Sequence, residues 1–332
     1  MGLLFKAFVS VVLTFLNLFT FPFFGFYAGE DNYEVKNAEE IRLNFAAISD
    51  IHMTDEFARV QVLKCGLWDM DRAETDLDAL VLAGDLTDHG TIEEYENLKV
   101  AFEPYNPAEE IIMAVGNHDT WTDEDDRYEP AKENFIKYSD EITGRSLSEC
   151  YFTTEINGYT FIVMASEGTR TSAYISDTQL SWLRSEMDKA SEKGLPIFVI
   201  SHWPLAETHG LPETWGDEEP ELLDGSFGDQ NYLVEDILDD YENVFLISGH
   251  LHNGLVNDRQ KDIYGFTSVE SDGSFHSINL PSYMYMGIRG RVMNGLGYSI
   301  EVYEDEVLVR ARSFTSGIWY TDYDVTIPLV KK

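Results

Sequence analysis

The sequence predicts a layered α/β domain whose strands are buried on both faces. Three observations carry that class. Short apolar runs recur along the chain, helical stretches lie between them, and the composition is that of a folded chain. With 44% hydrophobic and 13% aromatic residues over a length of 332, burial can offset the entropy of folding. Apolar runs that barely alternate, separated by helices, read as largely parallel strands covered from both sides.

At the N-terminus a single basic residue, Lys6, precedes an uncharged run from Ala7 to Ala28, and Glu30 and Asp31 follow it. The run has 22 residues, close to the ~20 that a helix needs to cross a bilayer. A secretory signal has a shorter apolar region of about 7 to 15 residues and a small-x-small cleavage site, which Phe26-Tyr27-Ala28 does not supply. Residues 1–28 are therefore expected to be a signal anchor or signal peptide, with the retained anchor favoured. Lys6 before the run and acid after it point the rest of the chain out of the cytoplasm. Phe21, Phe23, Phe24, Phe26 and Tyr27 suit a membrane interface. Residues 29–40 read as a polar linker and residues 41–330 as one domain.

Five apolar runs in that domain end in the same chemistry. Asn44 to Ile48 leads into Ser49-Asp50-Ile51-His52, and Ala79 to Leu82 into Ala83-Gly84-Asp85. Ile111 to Val115 leads into Gly116-Asn117-His118-Asp119, with Gly116 read as the sharp turn that ends the strand. Ile197 to Ile200 leads into Ser201-His202, and Val244 to Ile247 into Ser248-Gly249-His250-Leu251-His252. Helices are expected over Glu56 to Thr75, Ile92 to Phe102 and Ser176 to Lys193, the last with Asp177 as a cap. Beyond residue 255, Tyr298 to Tyr303, Val307 to Ser313 and Val325 to Val330 alternate as half-exposed strands, a β-rich end to the same domain.

Taken singly, Asp50, Asp85 and His202 have ordinary roles as caps, turn formers or core polar residues. Five strand tips with the same donors are a set, and strand tips are where α/β sheets place their chemistry. Imidazole, carboxylate and amide oxygen without thiolate suit manganese, iron, zinc or nickel. Asp50, His52, Asp85, Asn117, His202, His250 and His252 are too many for one ion and suit two that share a carboxylate.

Acidic residues outnumber basic ones 60 to 23, for a formal charge of -37. That balance argues against a nucleic-acid-binding surface. A phosphate-bearing substrate would need metal cations to hold it. Cys65 and Cys150 have no C-x-x-C spacing, so a thiolate metal site is unsupported and a disulfide stays open.

The ordered series Asp50-x-His52, Gly84-Asp85, Gly116-Asn117-His118-Asp119, His202 and Gly249-His250-x-His252 resembles the calcineurin-like metallophosphoesterase superfamily. The resemblance implies a four-layer α/β/β/α sandwich of two mixed β-sheets flanked by helices. It also implies a first metal on Asp50, His52 and His252, a second on Asn117, His202 and His250, and Asp85 bridging them. A metal-bridging hydroxide would be the nucleophile, His118 the general acid, and Asp119 the residue that orients His118. Purple acid phosphatases carry a tyrosine ligand three residues after the bridging aspartate, where this chain has Asp88, and their first motif lacks the histidine found here at position 52. The run from Gly84 to Gly90 is instead similar to the branch of class III cyclic nucleotide phosphodiesterases. The expected function is hydrolysis of a phosphodiester, with a phosphomonoesterase or an inactive extracytoplasmic binding module as alternatives. The module would be marked by decay of the ligand set, which is intact. Leu205 to Gly228 is a candidate substrate-facing lid, His89 and His209 are candidate substrate contacts, and His276 is expected to be structural or at the surface.

Overall fold

The computed structural model describes residues 31–120, 128–167, 173–215, 219–271, 274–284 and 289–331. The apolar run at 7–28 lies outside them. Among the described residues no helix is long and apolar enough to cross a membrane.

Two mixed sheets form the centre. In the first, β1 (Leu43–Ile48), β2 (Ala79–Ala83) and β3 (Glu110–Ala114) run parallel. β1 also pairs antiparallel with β10 (Leu296–Val302), which continues to β11 (Glu306–Ser313) and then to β12 (Ile318–Trp319) and β13 (Val325–Pro328). The second sheet has the order β4 (Phe152–Ile156), β5 (Tyr159–Val163), β6 (Ile197–Ile200), β7 (Val244–Ser248), β9 (Phe275–Asn279) and β8 (Val269–Glu270). The pairs from β5 to β9 are parallel, and both ends of the sheet are antiparallel.

Strand periodicity explains the layers, since alternate side chains leave opposite faces. Phe45 and Ala47 of β1 enter a core shared with Phe161, Phe198 and Phe245 of the second sheet, and the Phe45 ring meets Phe161 and Phe198 edge-on at 5.3 and 5.0 Å. Ala46 and Ile48 turn the other way, onto α1 (Phe57–Met70), α2 (Ile92–Phe102) and α3 (Tyr128–Thr143). Ile162, Val199 and Leu246 likewise pack on α4 (Asp177–Ser191) and α5 (Asn231–Asp239). The four layers are helix, sheet, sheet, helix. A short α6 (Lys261–Tyr264) precedes β8.

Local signals set the helix starts. Thr91 and Glu94 form a reciprocal capping box on α2, and α4 is capped by the Ser176 side chain, with Asp177 in its first turn and not at the cap. The hairpin from β4 to β5 turns at Asn157 and Gly158, both with positive φ (51° and 85°), the Asn-Gly pairing that favours a two-residue connection.

Residues 31–37, which composition assigns to a linker, are bound to side chains of β10 and β11 in the first sheet. Arg312 donates to Asp31 O at 3.1 Å and Arg310 to Glu34 O at 2.7 Å, while Lys36 N donates to Glu301 Oε2 at 2.9 Å. Arg312 is fully buried, holds Asp69 through two bonds of 2.7 and 2.8 Å, and lies over the Tyr33 and Trp319 rings. Cys65 and Cys150 are buried and form no disulfide.

Candidate metal centre

Because β1, β2 and β3 run parallel, their C-terminal ends deliver Asp50, His52, Asp85, Asn117 and His118 to one end of the first sheet. β6 and β7 deliver His202, His250 and His252 from the second sheet. Ligand atoms of Asp50, His52, Asp85 and His252 all lie within 4.8 Å of one another. In this group His252 Nε2 is 3.2 Å from Asp50 Oδ1 and 3.0 Å from His52 Nε2, and His52 Nε2 is 3.5 Å from Asp85 Oδ2. A second group adjoins it. Asn117 Oδ1 is 3.1 Å from His202 Nε2 and 3.0 Å from His250 Nδ1, and His202 Nε2 is 3.2 Å from Asp85 Oδ1. Asp85 thus turns one oxygen to each group.

Backbone strain concentrates at the same place. Asp50, His52, Asp85, His250 and His252 all have left-handed φ, between 46° and 73°, a region that non-glycine residues rarely occupy and that collects at functional sites. Gly116 contributes room, since a Cβ there would lie 2.1 Å from Asp85 Oδ1. Its φ is not left-handed, so close approach and not the turn is what requires glycine. A Cβ on Gly249 would meet Ser49 Oγ at 1.9 Å and Asp50 Oδ2 at 2.8 Å.

The donor set fits metal ions. Asp50 and Asp85 are fully buried, yet Oδ2 of each, and Nε2 of His250, have no hydrogen-bond partner. Buried carboxylate oxygens without such partners are costly unless a cation compensates them. Two histidines are already set to present Nε2. His202 Nδ1 donates to Ala83 O at 2.9 Å and His52 Nδ1 to Asp88 Oδ1 at 3.0 Å, the arrangement that fixes the tautomer of a metal-binding histidine. Burial raises the Asp85 carboxyl, but the neighbouring His202 and His52 outweigh it and hold it well below its ordinary value. Burial lowers the His202 imidazole, and Asp85 overcomes this, raising it to about 9.

His118 borders both groups. Its main-chain N–H donates to Asp85 Oδ1 at 2.9 Å, its Nδ1 donates to Asp88 O at 2.8 Å, and its ring meets that of His52 at 4.6 Å. Burial draws its imidazole below the ordinary value, opposed by Asp85. The expectation that Asp119 orients this ring is corrected. Asp119 is fully buried, and its carboxylate accepts from Leu86 N, Thr87 N, Thr87 Oγ1 and Gly116 N at 2.8 to 3.2 Å. It ties the second strand tip to the third, and Asp88 makes the contact to His118. Asp88 was legible only as the position where a tyrosine is missing.

His209 is also corrected. It is fully buried, with Nδ1 donating to Thr267 O at 3.0 Å and Nε2 facing Ser277 Oγ at 2.9 Å, so its ring is committed to structure. His89 lies against Glu94 at 3.0 Å and Asp88 Oδ2 at 3.5 Å, beside the first group. His276 stands on β9, its ring packed on Phe245 and its Nδ1 2.9 Å from Ser271 Oγ. The loop from Leu205 to Gly228 reaches the centre through Trp215, which stacks on His250 at 4.5 Å, while Trp203 lies 4.0 Å from the same ring.

Two mixed sheets with paired Asp/His donors at their strand tips define an α/β fold with a candidate metal centre. The chain belongs to the calcineurin-like phosphoesterase family, whose model matches residues 43–254. It is 30% identical over 179 residues to a probable cyclic nucleotide phosphodiesterase of Rhodococcus erythropolis, a match covering 53% of this chain and 51% of that protein. It is 26% identical over 235 residues to a 3',5'-cyclic-nucleotide phosphodiesterase of Nostoc, covering 68% of this chain and 77% of the relative. The chain thus spans about half the length of the first relative and about three quarters of the second. Among solved structures, a dimetal phosphatase from Danio rerio superimposes with a TM-score of 0.59 at 13% identity, covering 88% of this chain and 100% of that one. A purple acid phosphatase from yellow lupin gives 0.57 at 12% identity, covering 86% and 53%. These two likenesses establish the fold.

Proposed function

We propose that the protein is a phosphodiesterase that works with two metal ions, the first on Asp50, His52 and His252, the second on Asn117, His202 and His250, with Asp85 shared. The observation that carries this reading is the position of Asp85, with one carboxylate oxygen toward each donor group. Ions of manganese, iron, zinc or nickel bound there supply an activated water and neutralise charge on the phosphoryl group. The protein's own residues do the rest. Asp88 fixes His52 through its carboxylate and His118 through its carbonyl. With Nδ1 committed to that carbonyl, Nε2 of His118 is the atom that gives a proton to the departing oxygen. Asp119 keeps the tips carrying Asp85 and Asn117 in register.

A diester is favoured over a monoester on two grounds. The relatives above are named as phosphodiesterases, and a formal charge of -37 repels a dianionic monoester more than a monoanionic diester. Metal-loaded protein should turn over bis(p-nitrophenyl) phosphate faster than p-nitrophenyl phosphate, and Asp85→Ala should abolish both. Turnover of neither ester by protein carrying two ions sinks the enzyme reading, and a faster monoester reverses the preference.

The site of action is proposed to be outside the cytoplasm, with the chain anchored or secreted through residues 1–28. Lys6 and the apolar run from Ala7 to Ala28 support this. A reporter fused after residue 331 that is active only in the cytoplasm would refute it.

A further inference from the structure

Beside His250 lies a cavity of about 650 Å³ that the mechanism above does not use. Trp203 and Trp215 both line it and both pack on the His250 ring, so it adjoins the second donor group. Tyr174 and Tyr232 add two more aromatic side chains to its wall. Tyr174 is 47% exposed, Trp215 38% and Tyr232 44%, and large apolar groups gathered in the open around a cavity mark a binding surface. Trp215 is seated by design of the loop. A Cβ on Gly225, whose φ is 73°, would lie 3.0 Å from its indole, so the ring rests on bare backbone.

The polar lining has one sign. Glu221 and Asp229 face the cavity and have no basic partner among the described residues, whereas Asp224 accepts from Glu221 N at 2.9 Å. Among the described residues no lysine or arginine lines it. Trp203 adds an independent observation. It is 3% exposed, and its indole N–H has no acceptor among the described residues. A buried donor in that state is open to an acceptor from water or from a ligand, and a phosphodiester has such oxygens.

We propose that this cavity seats the ester arm that stays on phosphorus, and that it takes an arm carrying a cationic ammonium group. The assignment rests on the phosphodiesterase reading for the bond that is cut. His118 stands against His52 of the first donor group, and the cavity stands against His250 of the second. The arm beside His118 therefore leaves. Water adds to phosphorus, the P–O bond to that arm breaks, its oxygen takes the proton, and the cationic arm remains on the phosphomonoester product. Aromatic faces and carboxylates together bind ammonium groups, and the same carboxylates repel a further phosphate.

The test uses two aryl diesters that differ only in charge, p-nitrophenyl phosphocholine and p-nitrophenyl 3,3-dimethylbutyl phosphate, where carbon replaces the quaternary nitrogen. The choline ester should have a kcat/KM roughly tenfold higher. That ratio should fall toward one in Glu221→Gln/Asp229→Asn and in Gly225→Ala. Equal values for the two esters, or a thymidine 5'-p-nitrophenyl ester preferred over the choline ester, overturns the proposal. Failure of the underlying reading is told apart by bis(p-nitrophenyl) phosphate, which tests bond cleavage alone. Calorimetric titration of the metal-loaded protein with phosphocholine and with 3,3-dimethylbutyl phosphate reads the cavity without turnover. Binding of phosphocholine roughly tenfold tighter supports the proposal, and equal affinities overturn it. Glycerophosphocholine and phosphatidylcholine vesicles, used as competitors, distinguish a free ester from a lipid headgroup. Inhibition by either supports the assignment, and by neither counts against it.

Discussion

The main-chain nitrogen of His118 lies 2.9 Å from Oδ1 of Asp85. The residue proposed to move a proton is therefore hung on the carboxylate proposed to join the two ions. Its side chain is held separately, by the Asp88 carbonyl at 2.8 Å, so the imidazole can be removed without touching the bond to Asp85.

His118→Asn should lower kcat by about 10²- to 10⁴-fold while two metal ions per chain are retained. The loss should be larger for an alkyl leaving group than for p-nitrophenolate, which needs little protonation. Kinetics with both esters and elemental analysis of the variant check this. Loss of metal together with activity would make His118 a ligand instead.

Asp88→Ala removes the acceptor that orients His52 Nδ1 at 3.0 Å. Loss of such a partner weakens metal binding by about 10- to 100-fold, so competition with a chelator should strip the variant first from the site of Asp50, His52 and His252. Asp88→Asn keeps an acceptor oxygen and should fall between it and the parent. Metal affinities equal to the parent's in both variants would remove Asp88 from the centre.

Gly116→Ala puts a methyl group where Asp85 Oδ1 is 2.1 Å away, and should abolish binding of the two ions that share Asp85. Gly144→Ala is the control. It has φ of 71° and nothing within 4 Å, so it should cost only the left-handed strain of about 1–2 kcal/mol and leave metal content unchanged. Thermal melts and elemental analysis separate the two effects.

Arg312→Met leaves Asp69 buried without its partner and should destabilise the fold by about 3–5 kcal/mol. Arg312→Met with Asp69→Leu removes both charges and should recover much of that loss. Urea unfolding of the two variants provides the comparison, and a single variant as stable as the parent would contradict the bonds to Asp69.

Cys65 is buried, and burial pushes its thiol up to about 12. Neither Cys65 nor Cys150 is in a disulfide, so an aromatic disulfide reagent at pH 8 should find two thiols in denaturant and react far more slowly with the native protein. A count of zero in denaturant would mean a disulfide.

Much of the centre was legible because its donors end apolar runs, and a strand tip can be recognised without knowing its neighbours. The grouping of Asp50 with His252 was not carried by local pattern, since it depends on two sheets meeting, and it came from the resemblance. Asp119 was misassigned for a physical reason. Adjacent residues at a strand tip point apart, so the neighbour of His118 in sequence bonds Thr87 while Asp88, thirty residues away, holds the ring. Trp215 was read only as part of a loop, because nothing local says that an indole will stack on His250. The first sheet's pairing of β1 with β10 joins Leu43 to Val302, a contact no periodicity announces. By contrast the β4–β5 hairpin had its signal in Asn157-Gly158 and was overlooked.

The bound segment at residues 31–37 has a mechanical consequence. Tension entering the domain from the N-terminal side meets Arg312, Arg310 and the backbone of Lys36 before it reaches β1. Those bonds are spread along the segment and lead into β10 and β11, which lie inside the first sheet. A domain tethered by that end would be held through β10 and β11, with the strand tips that carry Asp50 and His52 shielded from the pull.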